Sequence, residues 1–97
     1  MPLFAIHALD RPGALALREA TRPDHLAFVK ARTDAYRFGA YLRDADGAMC
    51  GTLMAVECED LAAARRFSAE DPYARAGLFA RVEIHEWPVG IDAGLLK

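Results

Sequence analysis

The stretch Tyr36–Glu57, YRFGAYLRDADGAMCGTLMAVE, decides the fold. Its first part alternates: Tyr36, Phe38, Ala40 and Leu42 fall on one face and Arg37, Gly39, Tyr41 and Arg43 on the other, the period of a half-buried strand. Asp44-Ala45-Asp46-Gly47 follows, and Asp and Gly supply the backbone conformations that a hairpin turn needs. The returning strand, about Met49 to Glu57, is apolar on both faces. Leu53 and Ala55 lie on one, Cys50, Met54 and Val56 on the other, so it is expected to be central and covered on both sides.

Working outward, Leu3 to Leu9 is a short apolar run closed by Asp10-Arg11-Pro12-Gly13, a strand followed by a turn. Ala14 to Ala20 is helix-prone, but Thr21-Arg22-Pro23 interrupts it. Thr21 can cap and Pro23 suits a first helical turn, so a separate helix is expected from about Pro23 to Ala35. Its apolar stripe is formed by Leu26 and Val29 with Phe28 or Thr33. Downstream, Glu59-Asp60 and the Ala-rich Leu61–Phe67 form a second main helix with an acidic start that suits the helix dipole, ending before Asp71-Pro72. A loop, Asp71–Gly77, then leads to a last strand, Leu78 to Trp87, where Val82 and Ile84 alternate with Arg81, Glu83 and His85. The tail from Pro88 to Lys97 is expected to wrap or fray.

The element order is strand, helix, strand, strand, helix, strand. With a right-handed crossover and parallel first and third strands, it gives an α+β, ferredoxin-like βαββαβ sandwich. This is a four-stranded antiparallel sheet with helices on one face, of the dimeric α/β-barrel type. A chain of 97 residues is expected to be one domain, with a core at about residues 2–88 and a tail at 89–97. Apolar residues on both faces of the first and third strands predict a homodimer packed sheet against sheet. Twenty of the residues are Ala, which add little apolar area each, so self-association is favoured further.

Composition excludes several classes. Twelve basic and 14 acidic residues give a net charge of −2, with no basic run longer than Arg65-Arg66. Phosphate recognition needs a concentrated positive surface, so no nucleic-acid partner is expected. Neither a signal-peptide pattern nor an apolar run of about 20 residues is present, so a cytoplasmic protein without a membrane partner is expected. Cys50 and Cys58 lie about 26 Å apart if both sit in one strand, too far to pair, and read as buried thiols. Three separated histidines without matching carboxylates form no metal set, and neither GxGxxG nor a P-loop occurs. No metal or cofactor is expected.

Three segments look over-specified for packing: Arg22-Pro23-Asp24-His25-Leu26, Gly51-Thr52, and Asp71-Pro72-Tyr73 with Gly77-Leu78-Phe79. Together they resemble the YciI-like, YCII-related family. Arg22, His25 and Leu26 meet its R-x-x-H-L pattern, and Gly51-Thr52 its G-[ST] step. Asp71, Pro72, Tyr73, Ala76, Gly77, Leu78, Phe79, Val82 and Ile84 meet its D-P-[YF]…A-G-[LV]-[FY]…V-x-[IV] ending, and Trp87-Pro88 also suits it. Many members carry Ala-Gly-Pro at the end of the second strand, where this chain has Gly39-Ala40-Tyr41. The substitution puts a bulky ring near the expected pocket.

The resemblance implies a His–Asp pair at His25 and Asp71. A carboxylate on one imidazole nitrogen fixes the tautomer and leaves the other nitrogen to move a proton. Near a helix N-terminus the dipole would disfavour cationic His25, and Asp71 would offset that. Arg22 suits an anionic group and Thr52 a hydrogen bond to ligand or histidine, while Tyr41 and Tyr73 line the pocket. His7 and His85 read as strand-surface or interface residues. The family includes a lyase that dechlorinates a hydroxylated chloro-aromatic, which implies that elimination chemistry suits the scaffold. Two functions are therefore expected in competition. One is a small cofactor-independent enzyme using His25 and Asp71 for acid/base chemistry on a small polar or aromatic molecule. The other is a non-catalytic ligand-binding or accessory dimer with the same polar anchors.

Overall fold

The computed structural model describes residues 1–94, so the expectation for the tail lies outside the described residues at positions 95–97. The elements are β1 (Leu3–Asp10), α1 (Leu15–Lys30), β2 (Tyr36–Arg43), β3 (Met49–Glu57), α2 (Leu61–Glu70), α3 (Pro72–Arg75) and β4 (Phe79–Glu86). The sheet order is β2-β3-β1-β4 and every neighbouring pair is antiparallel. The ferredoxin-like architecture is as expected, but the first and third strands run antiparallel. Each helical crossover returns the chain in its original direction, so the parallel pairs are β1 with β2 and β3 with β4, which are not neighbours.

One face of the sheet holds the core. Phe4 and Ile6 of β1 and Met54 and Val56 of β3 meet Phe28 of α1 and Ala64 and Phe67 of α2. Because side chains alternate along a strand, Leu3, Ala5, His7 and Leu9 point to the opposite face. Their partners there are Glu57, Ala55, Leu53 and Gly51 on β3, with His85, Glu83 and Arg81 on β4. Phe38 covers Ala55 on that face and approaches Trp87 at 6.1 Å between ring centroids.

Two chain features depend on glycine. At Gly47 φ is +84°, the left-handed turn that brings Asp44 and Ala48 together across the hairpin. At Gly51 an added Cβ would lie 2.5 Å from the Ala8 carbonyl oxygen, so β1 and β3 pair closely only because no side chain intervenes.

Three sequence expectations are corrected. First, α1 is one helix of 16 residues with Pro23 inside it, not two helices parted at Thr21. An interior proline costs a helix roughly 3 kcal/mol by losing an N–H and crowding the carbonyl four residues back. That carbonyl belongs to Glu19, which is exposed, so water can satisfy it. Burial of Arg18, His25 and Phe28 along the other side of the helix offsets the rest. The helix also stops at Lys30 rather than Ala35, and its buried stripe falls on these three residues, with Leu26 and Val29 at its flank.

Second, Asp71–Gly77 is not all loop, because Pro72–Arg75 forms a short helical turn capped by the Asp71 carboxylate, which accepts from the Tyr73 amide at 2.9 Å. Third, β2 does not alternate uniformly. A register shift between Tyr36 and Phe38 sets Tyr36 opposite Val56 on the helix side, while Phe38, Ala40 and Leu42 turn to the open side. The second helix starts and stops as read, with the Asp60 carboxylate capping the Ala63 amide at 2.8 Å. Both cysteines are free, and burial pushes the Cys58 thiol pKa up.

Candidate active site

The unbroken helix brings Arg18, Arg22 and His25 onto one side of α1, at a spacing of four and then three residues. This side faces β3 and β2 across a cavity of about 250 Å³, whose wall includes His25, Tyr36, Tyr41, Thr52 and Tyr73. His25 lies well inside α1, not near a helix N-terminus as expected.

His25 and Asp71 are in contact. Nδ1 of His25 lies 2.9 and 3.1 Å from the two carboxylate oxygens of Asp71. Asp71 is fully buried, and the histidine is nearly so. A carboxylate at Nδ1 requires that nitrogen to carry the proton it donates, which leaves Nε2 as the acceptor. Nε2 has no protein partner among the described residues. Every buried side-chain nitrogen or oxygen there does have one, so Nε2 is open to the cavity.

The Tyr73 ring lies flat against the imidazole, with centroids 4.2 Å apart and planes 19° from parallel. On Tyr73 also rests the Arg18 guanidinium, 4.6 Å from the ring centroid. Burial raises the Tyr73 phenol pKa, against the pull of Arg18 and Arg22.

Arg18 was not singled out by the sequence, yet it is the most heavily engaged polar side chain of the site. It is 2% exposed, donates to both oxygens of Asp10 at 2.6 and 2.9 Å, and donates to Thr52 Oγ1 at 2.7 Å. Burial opposes its charge, but the bonds to Asp10 outweigh that, and its pKa is raised. Thr52 therefore accepts from Arg18, not from His25, and its own proton remains available to a ligand.

Tyr36 is the second residue missed. Reading β2 as a plain alternation put it on the side of Phe38, whereas the register shift turns it into the cavity beside Gly39 and Tyr41. Burial, and then the charge of Asp71, hold its phenol pKa up. Arg22 lines the cavity from its exposed edge and makes no ion pair among the described residues. Tyr41 sits at the rim, 41% exposed, and accepts from Arg43 at 2.9 Å. His25, Arg22, Thr52, Tyr41 and Tyr73 thus line one cavity, and Asp71 stands behind its wall on His25. Among the described residues, no group of three or more His, Cys, Asp or Glu is gathered to hold a metal ion, and no helix is long and apolar enough to cross a membrane.

A ferredoxin-like α+β domain with a polar cavity between its first helix and the sheet is the class that fold and geometry define. The chain belongs to the YCII-related domain family, whose model matches residues 2–88. It is similar to 5-chloro-2-hydroxyhydroquinone dehydrochlorinase (TftG) from Burkholderia phenoliruptrix AC1100, solved in complex with 2,5-dihydroxybenzoquinone. The two are 31% identical, with a TM-score of 0.85, over 91% of this chain and 95% of that one. The fold alone is shared with SnoaB, a cofactor-independent oxygenase from Streptomyces nogalater, at 24% identity and a TM-score of 0.61 over 95% and 96% of the chains. Rv0793 from Mycobacterium tuberculosis shares it at 19% identity and a TM-score of 0.52, over 97% and 100%. No curated protein sequence matches.

Proposed function

We propose that the protein is a small cofactor-independent enzyme in which His25, oriented by Asp71, moves a proton on a small hydroxylated or aromatic molecule. The observation that carries this reading is the buried Asp71 carboxylate on Nδ1 with Nε2 open to the cavity. A fixed tautomer beside a ligand-sized space is what general acid/base work requires. Thr52, Tyr41 and Tyr73 contact the substrate, and Arg22 meets its charged group. The protein acts as a homodimer joined through the open sheet face, which removes Leu3, Phe38 and Trp87 from water.

The reaction class is elimination, of the kind named by the dehydrochlorinase to which the chain is similar. In such a step Nε2 takes a hydroxyl proton, the electrons of that O–H bond move into the ring, and the chlorine-bearing carbon takes up a proton and becomes tetrahedral. Loss of a second hydroxyl proton then forms a carbonyl, and the carbon–chlorine bond breaks with its pair leaving on chloride to give a hydroxyquinone. Proton and chloride balance the loss, and no electron acceptor is needed. The test is chloride release from 5-chloro-2-hydroxyhydroquinone and related halogenated hydroxy-aromatics by the wild type and by His25→Gln. A loss of on the order of 10²–10⁴-fold in the variant is expected. Equal rates in the two proteins would overturn the reading.

A further inference from the structure

The cavity is lopsided in charge. Arg18, Arg22, His25 and three tyrosines contribute to its wall, and no carboxylate does. The two carboxylates behind the wall are already occupied: Asp10 holds Arg18, and Asp71 holds His25 and the Tyr73 amide. Arg22 alone brings a positive charge to the cavity that nothing among the described residues balances.

Tyr36 adds a directed donor. The register shift in β2 turns its ring inward, and Gly39 leaves the space its hydroxyl takes up, since a Cβ at Gly39 would overlap the Tyr36 oxygen. No hydrogen-bond partner of that hydroxyl is present among the described residues, and no buried side-chain oxygen there lacks one, so it opens on the cavity. A strand irregularity and a missing side chain thus combine to present one unpartnered O–H. Packing alone gives no reason for a phenol at that place, because a phenylalanine would fill the same volume.

We infer that the cavity takes a single-ring anion bearing an ionised oxygen, a phenolate or enolate, and that Tyr36 and Arg22 select it by hydrogen-bonding and pairing with that oxygen. The inference deepens the proposed function by naming its substrate class, and rests on that reading only in placing the ligand in the same cavity. The volume of about 250 Å³ suits one substituted ring. A hydrogen bond to a charged group discriminates more strongly than one between neutral partners, so the neutral analogue should be rejected.

The probe is 4-nitrophenolate, whose absorbance reports ionisation directly, compared with nitrobenzene, which lacks the oxygen. The wild-type protein is expected to bind the phenolate about tenfold or more tightly than nitrobenzene. Tyr36→Phe should abolish most of that preference without changing nitrobenzene affinity. Gly39→Ala should do the same by displacing the hydroxyl, which guards against a folding defect in the first variant. Arg22→Gln should weaken phenolate binding and flatten its salt dependence. His25→Gln, which removes the proposed proton carrier, should retain the anion preference, so failure of the catalytic reading and failure of this one are separately visible. Equal affinity for the two probes, no binding of the phenolate, or an undiminished preference in Tyr36→Phe, Gly39→Ala or Arg22→Gln would each overturn the inference.

Discussion

Asp71 presents both carboxylate oxygens to Nδ1 of His25 across 46 residues of sequence, while the same imidazole lies against the ring of Tyr73. Carboxylate, imidazole and phenol form one unit, since the Asp71 oxygen that meets Nδ1 also accepts the Tyr73 amide. The same carboxylate caps the short turn α3, so the turn and the histidine share one anchor.

The tautomer of His25 is the first testable consequence. Nitrogen chemical shifts of the labelled ring should show the proton of the neutral form on Nδ1 in the wild type. In Asp71→Ala the ring loses its acceptor and should populate both tautomers. A ring that keeps the Nδ1–H form without the carboxylate would mean that Asp71 does not orient it. A turnover assay on the same variant is expected to fall by on the order of 10²–10⁴-fold.

The Arg18–Asp10 pair yields a stability prediction. Both side chains are almost wholly buried, at 2% and 6% exposure. Removing one partner leaves the other charge uncompensated, which costs about 3–5 kcal/mol in buried pairs, whereas removing both costs far less. Urea unfolding of Arg18→Met should therefore show a loss of that order, and Asp10→Leu combined with Arg18→Met should recover much of it. Strict additivity of the two single losses would show that the ions do not interact.

The sequence carried the element order and the His25–Asp71 pair, the first because strand alternation and the Asp44–Gly47 turn are local signals, the second through the family pattern. Arg18 and Tyr36 were not legible for two different physical reasons. Thr21-Arg22-Pro23 looks like a helix start, and splitting α1 there removes the phase that would set Arg18 beside Arg22 and His25. The proline is tolerated only because its side of the helix faces water, a tertiary fact. Tyr36 was misplaced because one irregular residue step in β2 inverts the alternation that precedes it, and nothing in Tyr36-Arg37-Phe38 marks that step. Strand direction was misread because adjacency in the sheet and parallelism along the chain are separate questions, and only the long-range pairing of β1 with β3 answers the first.

Gly51 should be intolerant of any side chain. A Cβ there would stand 2.5 Å from the Ala8 carbonyl and within 3.3 Å of Leu9 and Leu42 side-chain carbons. The neighbouring atom is backbone of a paired strand, so it cannot swing aside. Gly51→Ala is expected to destabilise the fold by roughly 1–3 kcal/mol, the usual cost of overpacking. The same change at Gly13, where nothing lies within 4 Å of the added atom, should show no clash, only the strain of its φ of +72°. Thermal unfolding of the two variants separates steric from conformational cost.

Alkaline pH should weaken the fold through two phenols. Burial raises the pKa of Tyr73, and burial with the nearby Asp71 charge raises that of Tyr36. The folded protein therefore holds these protons more tightly than the unfolded chain, where a tyrosine ionises near about 10. The stability this contributes is fully present below that value and is lost as pH rises through the higher folded pKa values, because the unfolded state there binds fewer protons than the native one. Unfolding free energy measured in urea should fall with pH above about 10, and the phenolate absorbance of these residues should rise together with loss of structure. Tyr36→Phe and Tyr73→Phe should each flatten that slope, since neither ring then has a proton to lose. A wild-type slope unchanged in both variants would place the alkaline transition on other groups.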